Sequence, residues 1–199
     1  MKDSEKGTNE VRVPCVYFEK PGKPNTRRTL EAAARRAGEM DIETVLVASV
    51  SGDSALMAAE LMPGKNLVAV THSTGFIKPD HQQMQSEQRL RVEKSGVRIL
   101  TCQHAFGGVG RAVRKKLGTY EIDEIMAFTL RTFGEGTKVA VEIALMAADA
   151  GLVSTQKPCI STGGTAEGLD TALVLIPAHA QNFFDIRIME VLAKPRLNA

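Results

Sequence analysis

The stretch VLVASVSGDSALMAAELMPG, Val45 to Gly64, holds the first residues whose types and spacing could do chemistry. Ser51-Gly52-Asp53-Ser54 sets hydroxyls, a carboxylate and a glycine between an apolar β-branched run and a helical pattern. Glycine lets the backbone approach a ligand, and serine adds a donor. A helix N-terminus supplies unpaired N–H groups with a partial positive charge. Together these features describe an anion cradle, most simply for phosphate. Capping of the helix by Asp53 or Ser54, with nothing bound, accounts for the same four residues equally well.

Two further turns shift that balance. After another apolar run come Ser161, Thr162, Gly163, Gly164 and Thr165, with Gly168 and Asp170 ahead of the next strand. A tight hairpin asks for one or two glycines, and this segment has three. Thr71, His72, Ser73, Thr74 and Gly75 form a third hydroxyl-rich turn of the same kind. Three such turns, each following a strand, favour a binding site over a set of helix caps. Arg111 opens a helix beside the glycine-rich segment HAFGGVGRAV and is the candidate anion contact.

The elements that must position these turns alternate. Strands are expected at Val11–Phe18, Val45–Ser49, from Asn66 into the third turn, and at Arg98–Thr101, Pro158–Ser161 and Thr171–Ile176. Helices are expected at Thr26–Met40, with Asn25/Thr26 as N-cap, and at Asp53–Met62, Asp80–Ser95, Tyr120–Phe133 and Thr137–Ala150, with a basic helix ending at Leu117. Gly151 reads as a C′ glycine, and the tail after Phe184 as short and amphipathic. This order implies an α/β three-layer sandwich with a mainly parallel sheet. Ligands of such sheets bind outside the carboxyl ends of the strands, where the three turns fall.

The length of 199 residues fits one domain over residues 11–199, after a polar, flexible start at residues 1–10. That start carries no apolar secretory segment, and no apolar stretch is long enough to cross a bilayer, so a cytoplasmic location without a membrane partner is expected. The formal charge of +2 is too small for a nucleic-acid footprint. Cys15, Cys102 and Cys159 lack disulfide or zinc spacing and read as buried inert thiols in strands.

Several chemistries find no pattern to support them. There is no P-loop and no Gly-x-Ser-x-Gly elbow, and the histidines lack metal spacing, so no metal is expected. Gly108-Val109-Gly110 begins a dinucleotide fingerprint, but Val113 stands where its third glycine belongs. Glu142 and Asp149, seven residues apart on an apolar helix, read best as one solvated stripe. The alternative makes Glu142 a buried acid near the ligand.

TVLVASVSGDSALMAAELMPGKNLVAVT resembles the start of the C-terminal α/β domain of pyruvate kinase, where a strand ends in a Ser/Thr-rich turn that holds an effector phosphate. EIALMAADAGLVSTQKPCISTGGTAEGLDTALVLIP resembles that domain's last helix, glycine loop and final strands. The opening at Tyr17–Thr26 and the ending at Pro177–Asp185 are similar to those of small stand-alone microbial proteins of this type. The resemblance implies strand order 3-2-1-4-5 with the last strand antiparallel, plus an extra N-terminal strand. It also implies flavin mononucleotide (FMN) in the cleft. By position, Ser49, Ser51, Gly52, Asp53 and Ser54 form the phosphate side, Gly163, Gly164 and Thr165 close over it, and Thr71, His72, Thr74 and Gly75 line the adjoining turn.

Asp53 departs from the pattern, because a carboxylate about 4 Å from a phosphate repels it by about 1 kcal/mol in water. It must point away, cap its helix, or bind a ligand hydroxyl. The resemblance omits the barrel that carries pyruvate kinase chemistry, so no kinase activity is expected. Two other functions stay open. One is a regulatory or assembly module, a homo-oligomer included, with Phe183, Phe184, Ile186 and Ile188 as partner face. The other is an enzyme for a small phosphorylated substrate, with Glu142 or His72 carrying a proton.

Overall fold

The computed structural model describes residues 10–197. Except for Glu10, the stretch expected to be a flexible start lies outside the described residues. The strands are β1 (Val16–Phe18), β2 (Thr44–Ala48), β3 (Asn66–Val70), β4 (Arg98–Leu100), β5 (Cys159–Gly163), β6 (Thr171–Ile176) and β7 (Arg187–Pro195). The helices are α1 (Thr26–Glu39), α2 (Asp53–Leu61), α3 (Ser86–Lys94), α4 (Val109–Leu117), α5 (Ile122–Arg131) and α6 (Glu135–Asp149).

All seven strands form one sheet in the order β1-β7-β6-β5-β2-β3-β4. Its β4-β3-β2-β5-β6 part has the expected 3-2-1-4-5 order, with β6 antiparallel to β5. Strand alternation divides the apolar side chains between two cores. Val45, Val47 and Ala69 pack with α1 and α2 on one face, while Leu46, Val68 and Val70 pack with α6 on the other. Helices thus cover both faces and form the expected three layers. The C-terminal ends of β2, β3 and β4 share one edge, because the three are mutually parallel.

The extra N-terminal strand lies at the sheet edge as β1, but it covers only Val16–Phe18 of the expected Val11–Phe18. Its partner is the tail. Rather than a short amphipathic end, the tail forms the nine-residue β7 between β1 and β6. α3 begins at Ser86, not Asp80, because the preceding residues bond locally. Asp80 has φ 57°, Gly75 N–H donates to His81 O at 3.0 Å, and Gln82 Nε2 donates to His72 O at 3.0 Å. Asn25 stands at the N-cap position of α1 as expected, but its side chain makes no capping bond and its amide donates to Lys20 O instead. Gly151, with φ 69°, does follow α6 as its C′ residue.

The thiols also differ from expectation. Only Cys159 lies buried in a strand, where desolvation pushes its pKa up to about 12. Cys15 and Cys102 are half-buried residues just outside β1 and β4, where burial also raises the thiol pKa.

Candidate functional site at the strand C-termini

A cleft of about 760 Å³ opens where β2, β3, β5 and the N-terminal end of α6 meet. β2 runs into it through Ser49–Ser54. Gly52 is the N-cap of α2, with φ 101°, a backbone conformation that favours glycine. A Cβ there would lie 2.8 Å from Gln88 Cγ, so this residue is pressed against α3. Neither Asp53 nor Ser54 caps the helix. Ser49 Oγ instead accepts the Ala55 N–H at 3.3 Å, and Ser51 Oγ the Asp53 N–H at 3.4 Å. Among the described residues, the Gly52 and Ser54 N–H groups have no partner. The Asp53 carboxylate accepts from Gln88 Nε2 of α3 at 2.9 Å, so one of its oxygens is held toward α3 although the residue lines the cleft.

The glycine loop forms the opposite wall. Gly164 lines the cleft, and a Cβ on it would fall 2.1 Å from Gly168 O, so the loop closes only with glycine there. Fully buried Asp170 holds this loop to the N-terminal segment. Its Oδ2 accepts from Gly22 N at 2.9 Å and Thr165 N at 3.1 Å, and its Oδ1 accepts from Thr171 Oγ1 at 2.9 Å. Thr26 Oγ1 accepts the Leu169 N–H at 2.9 Å and closes the same joint. Thr165, expected to close over a ligand, lies outside the cleft lining, and its N–H is bonded within the protein.

Of the residues expected at the site, Ser49, Ser51, Asp53, Ser54, Thr71, His72, Arg111 and Gly164 line the one cleft. Gly52 supports it from behind, and Gly163 is a buried β5 residue whose Cβ would meet Gly136 O of α6. Thr74 and Gly75 are exposed and lie outside the cleft lining. Thr71 directs its hydroxyl to His72 O at 2.8 Å and shares a 2.7 Å contact with Thr101 Oγ1.

α6 supplies what spacing alone did not single out. Glu142 is not part of a solvated stripe. It is 3% exposed, its Oε1 accepts the Phe106 N–H at 2.9 Å, and its Oε2 lies 2.5 Å from Lys138 Nζ. Asp149, expected to share its face, is exposed and accepts from the Ala180 N–H at 3.1 Å. A buried charge is tolerable only when paired and hydrogen-bonded, and Lys138 and Glu142 meet that condition. The readable signal was a lysine and a glutamate four residues apart in an otherwise apolar helix.

His104 Nδ1 lies 3.8 Å from Glu142 Oε2. Burial lowers the His104 pKa to about 4, opposed by Glu142 and assisted by His72, Lys138 and Arg111. The ring is therefore neutral at pH 7, and this approach is not an ion pair. Phe76 stacks on His104 at 5.0 Å with an interplanar angle of 14°, and the Arg111 guanidinium lies 4.9 Å from the Phe76 centroid. The result is an aromatic wall topped by a cation. His72 Nδ1 contacts Gln83 Oε1 at 2.7 Å, which orients the remaining ring nitrogen separately.

The charges lining the cleft are mostly matched. Arg131 pairs with Glu135 at 2.5 Å, Lys138 with Glu142, and Lys23 with Glu167 at 3.5 Å. Arg111 has no carboxylate partner among the described residues. No cluster of three or more His, Cys, Asp or Glu suited to a metal occurs among them, and no described helix is long and apolar enough to cross a membrane.

Residues 27–175 match the family described as pyruvate kinase, alpha/beta domain. The chain belongs to that family. Its family region runs from α1 through β6, so it contains both the Ser49–Ser54 turn and the glycine loop. Two solved structures are similar in part. One is a pyruvate kinase from Cryptosporidium parvum, at 11% identity, TM-score 0.39, covering 76% of this chain and 23% of that one. The other is Cryptosporidium parvum pyruvate kinase in complex with ADP, at 12% identity, TM-score 0.38, covering 75% and 22%. The chain thus spans less than a quarter of either of those proteins.

Proposed function

We propose that the cleft binds a phosphorylated ligand, with flavin mononucleotide as the ligand to which the family resemblance leads. The observation that carries this reading is the joint opening of the Ser51–Ser54 turn, Gly164 and Arg111 onto one cleft. N–H groups at the start of α2 and a guanidinium that, among the described residues, have no protein partner or carboxylate are the chemistry that holds a phosphate. Its volume falls within the about 300–1,000 Å³ usual for small-molecule sites.

The remainder of the cleft fits a planar ring. Val139, Ile143 and Met146 of α6 and Met57 of α2 give it apolar surface, and Phe76 with His104 adds a stacking face. When bound, flavin mononucleotide supplies one- and two-electron transfer, while the chain binds, orients and shields it. An enzymatic role on a small phosphorylated substrate draws on His72, whose ring is held by Gln83 beside the same cleft.

The test is the visible spectrum of the purified protein, followed by mass analysis of any ligand released on heating. A yellow protein releasing flavin mononucleotide supports the reading. A colourless protein that retains no phosphate ester, and takes none up on incubation, contradicts it.

A further inference from the structure

α5 is apolar on two opposite sides. Met126, Ala127 and Leu130 face the core shared with α6. Ile122, Ile125 and Phe128, centred about 150° away around the helix, are 75%, 54% and 51% exposed. An apolar stripe left in water on the outer side of such a helix is a candidate contact surface. Tyr120 extends the outer stripe through an edge contact with Phe128 at 5.6 Å, and Phe133, 63% exposed, follows just beyond the helix.

We propose that this face is the contact between two copies of the chain, packed about a two-fold axis at Ile125. The spacing is self-complementary. Ile122 and Phe128 each stand three residues from Ile125, so antiparallel α5 helices set Ile122 of each copy against Phe128 of the other. Taking about 200 Å² for a large side chain, the exposed parts of Tyr120, Ile122, Ile125, Phe128 and Phe133 amount to roughly 600 Å². With a rim of neighbouring residues this approaches the about 800 Å² per partner of a standard interface.

The test is light scattering coupled to size exclusion on the full chain over a range of concentrations. The expected result is a dimer, with Ile125→Glu raising its dissociation constant by at least about 30-fold. Phe184→Glu should leave the dimer intact, because Phe184 projects from the short helical segment Ala180–Asp185. Ile125→Cys adds a check that survives poor folding of the glutamate variant, because thiols across the axis give a covalent dimer under mild oxidation that the parent chain lacks. A monomer at all concentrations overturns the proposal, and one that sediments with phosphatidylglycerol vesicles marks the face as a lipid contact instead. A dimer lost through Phe184→Glu but not Ile125→Glu overturns it as well.

Discussion

Lys138 Nζ and Glu142 Oε2 lie 2.5 Å apart on successive turns of α6, with side chains 5% and 4% exposed. An ion pair so deeply placed contributes little net stability, but breaking it leaves one charge stranded. Glu142→Leu alone is expected to lower unfolding free energy by about 3–5 kcal/mol. Lys138→Met together with Glu142→Leu should restore most of that loss. Urea denaturation of the three proteins checks this, and a single variant as stable as the parent would contradict it.

His104 makes stability depend on pH. Its folded pKa of about 4 is below the usual value of 6.5, so the unfolded chain takes up the proton first. Its contribution is therefore complete above about pH 6.5 and is lost as pH falls toward 4, by about 3 kcal/mol in all. Denaturation at pH 7, 5.5 and 4.5 should show this slope in the parent and a flatter one in His104→Gln. Equal slopes would refute the assignment.

Asp170 determines the shape of the glycine loop. Replacing it with Ala leaves the Gly22 and Thr165 N–H groups without their buried acceptor. The expected loss is about 3 kcal/mol, from charge-assisted hydrogen bonds of about 1.5–3 kcal/mol each. Amide exchange at Thr165 should quicken more than exchange in β2. Unchanged protection at Thr165 would show that the loop is held by something else.

Arg111 lies half-buried at the start of α4 without an ion pair among the described residues, so its removal should leave the fold intact. Arg111→Met is expected to weaken binding of a phosphate ester by about 10- to 100-fold while changing thermal stability little. Titration calorimetry and a melting curve read the two effects separately. Unaltered affinity would remove Arg111 from the site.

Much of the frame was legible because its signals are local. The run Val45–Val47 is apolar on both faces, as a central parallel strand must be, and the turn after it carries its own glycine. β7 was not legible, because its place depends on β1 and β6, and its first residues stay exposed. The hydroxyl turns lie at the edge of the sheet where the cleft opens, yet hydroxyls such as those of Ser161 and Thr162 bond within the fold, to Ala140 O and Leu46 O. The aromatic wall was out of reach, since Phe76 and His104 come from different loops and meet only when β3 and β4 pair. Lys138 lay hidden in a helix that reads as core.

The start of α2, Gly164 and Arg111 are proposed to grip a phosphate together. Fluorescence titration of the ligand-free chain with flavin mononucleotide and with riboflavin, which differ only in that group, tests it most directly. Saturable one-to-one binding of flavin mononucleotide is expected, at least about 10-fold tighter than riboflavin, with the advantage lost in Arg111→Met. Equal affinity for the two flavins, or no binding of either, would contradict it.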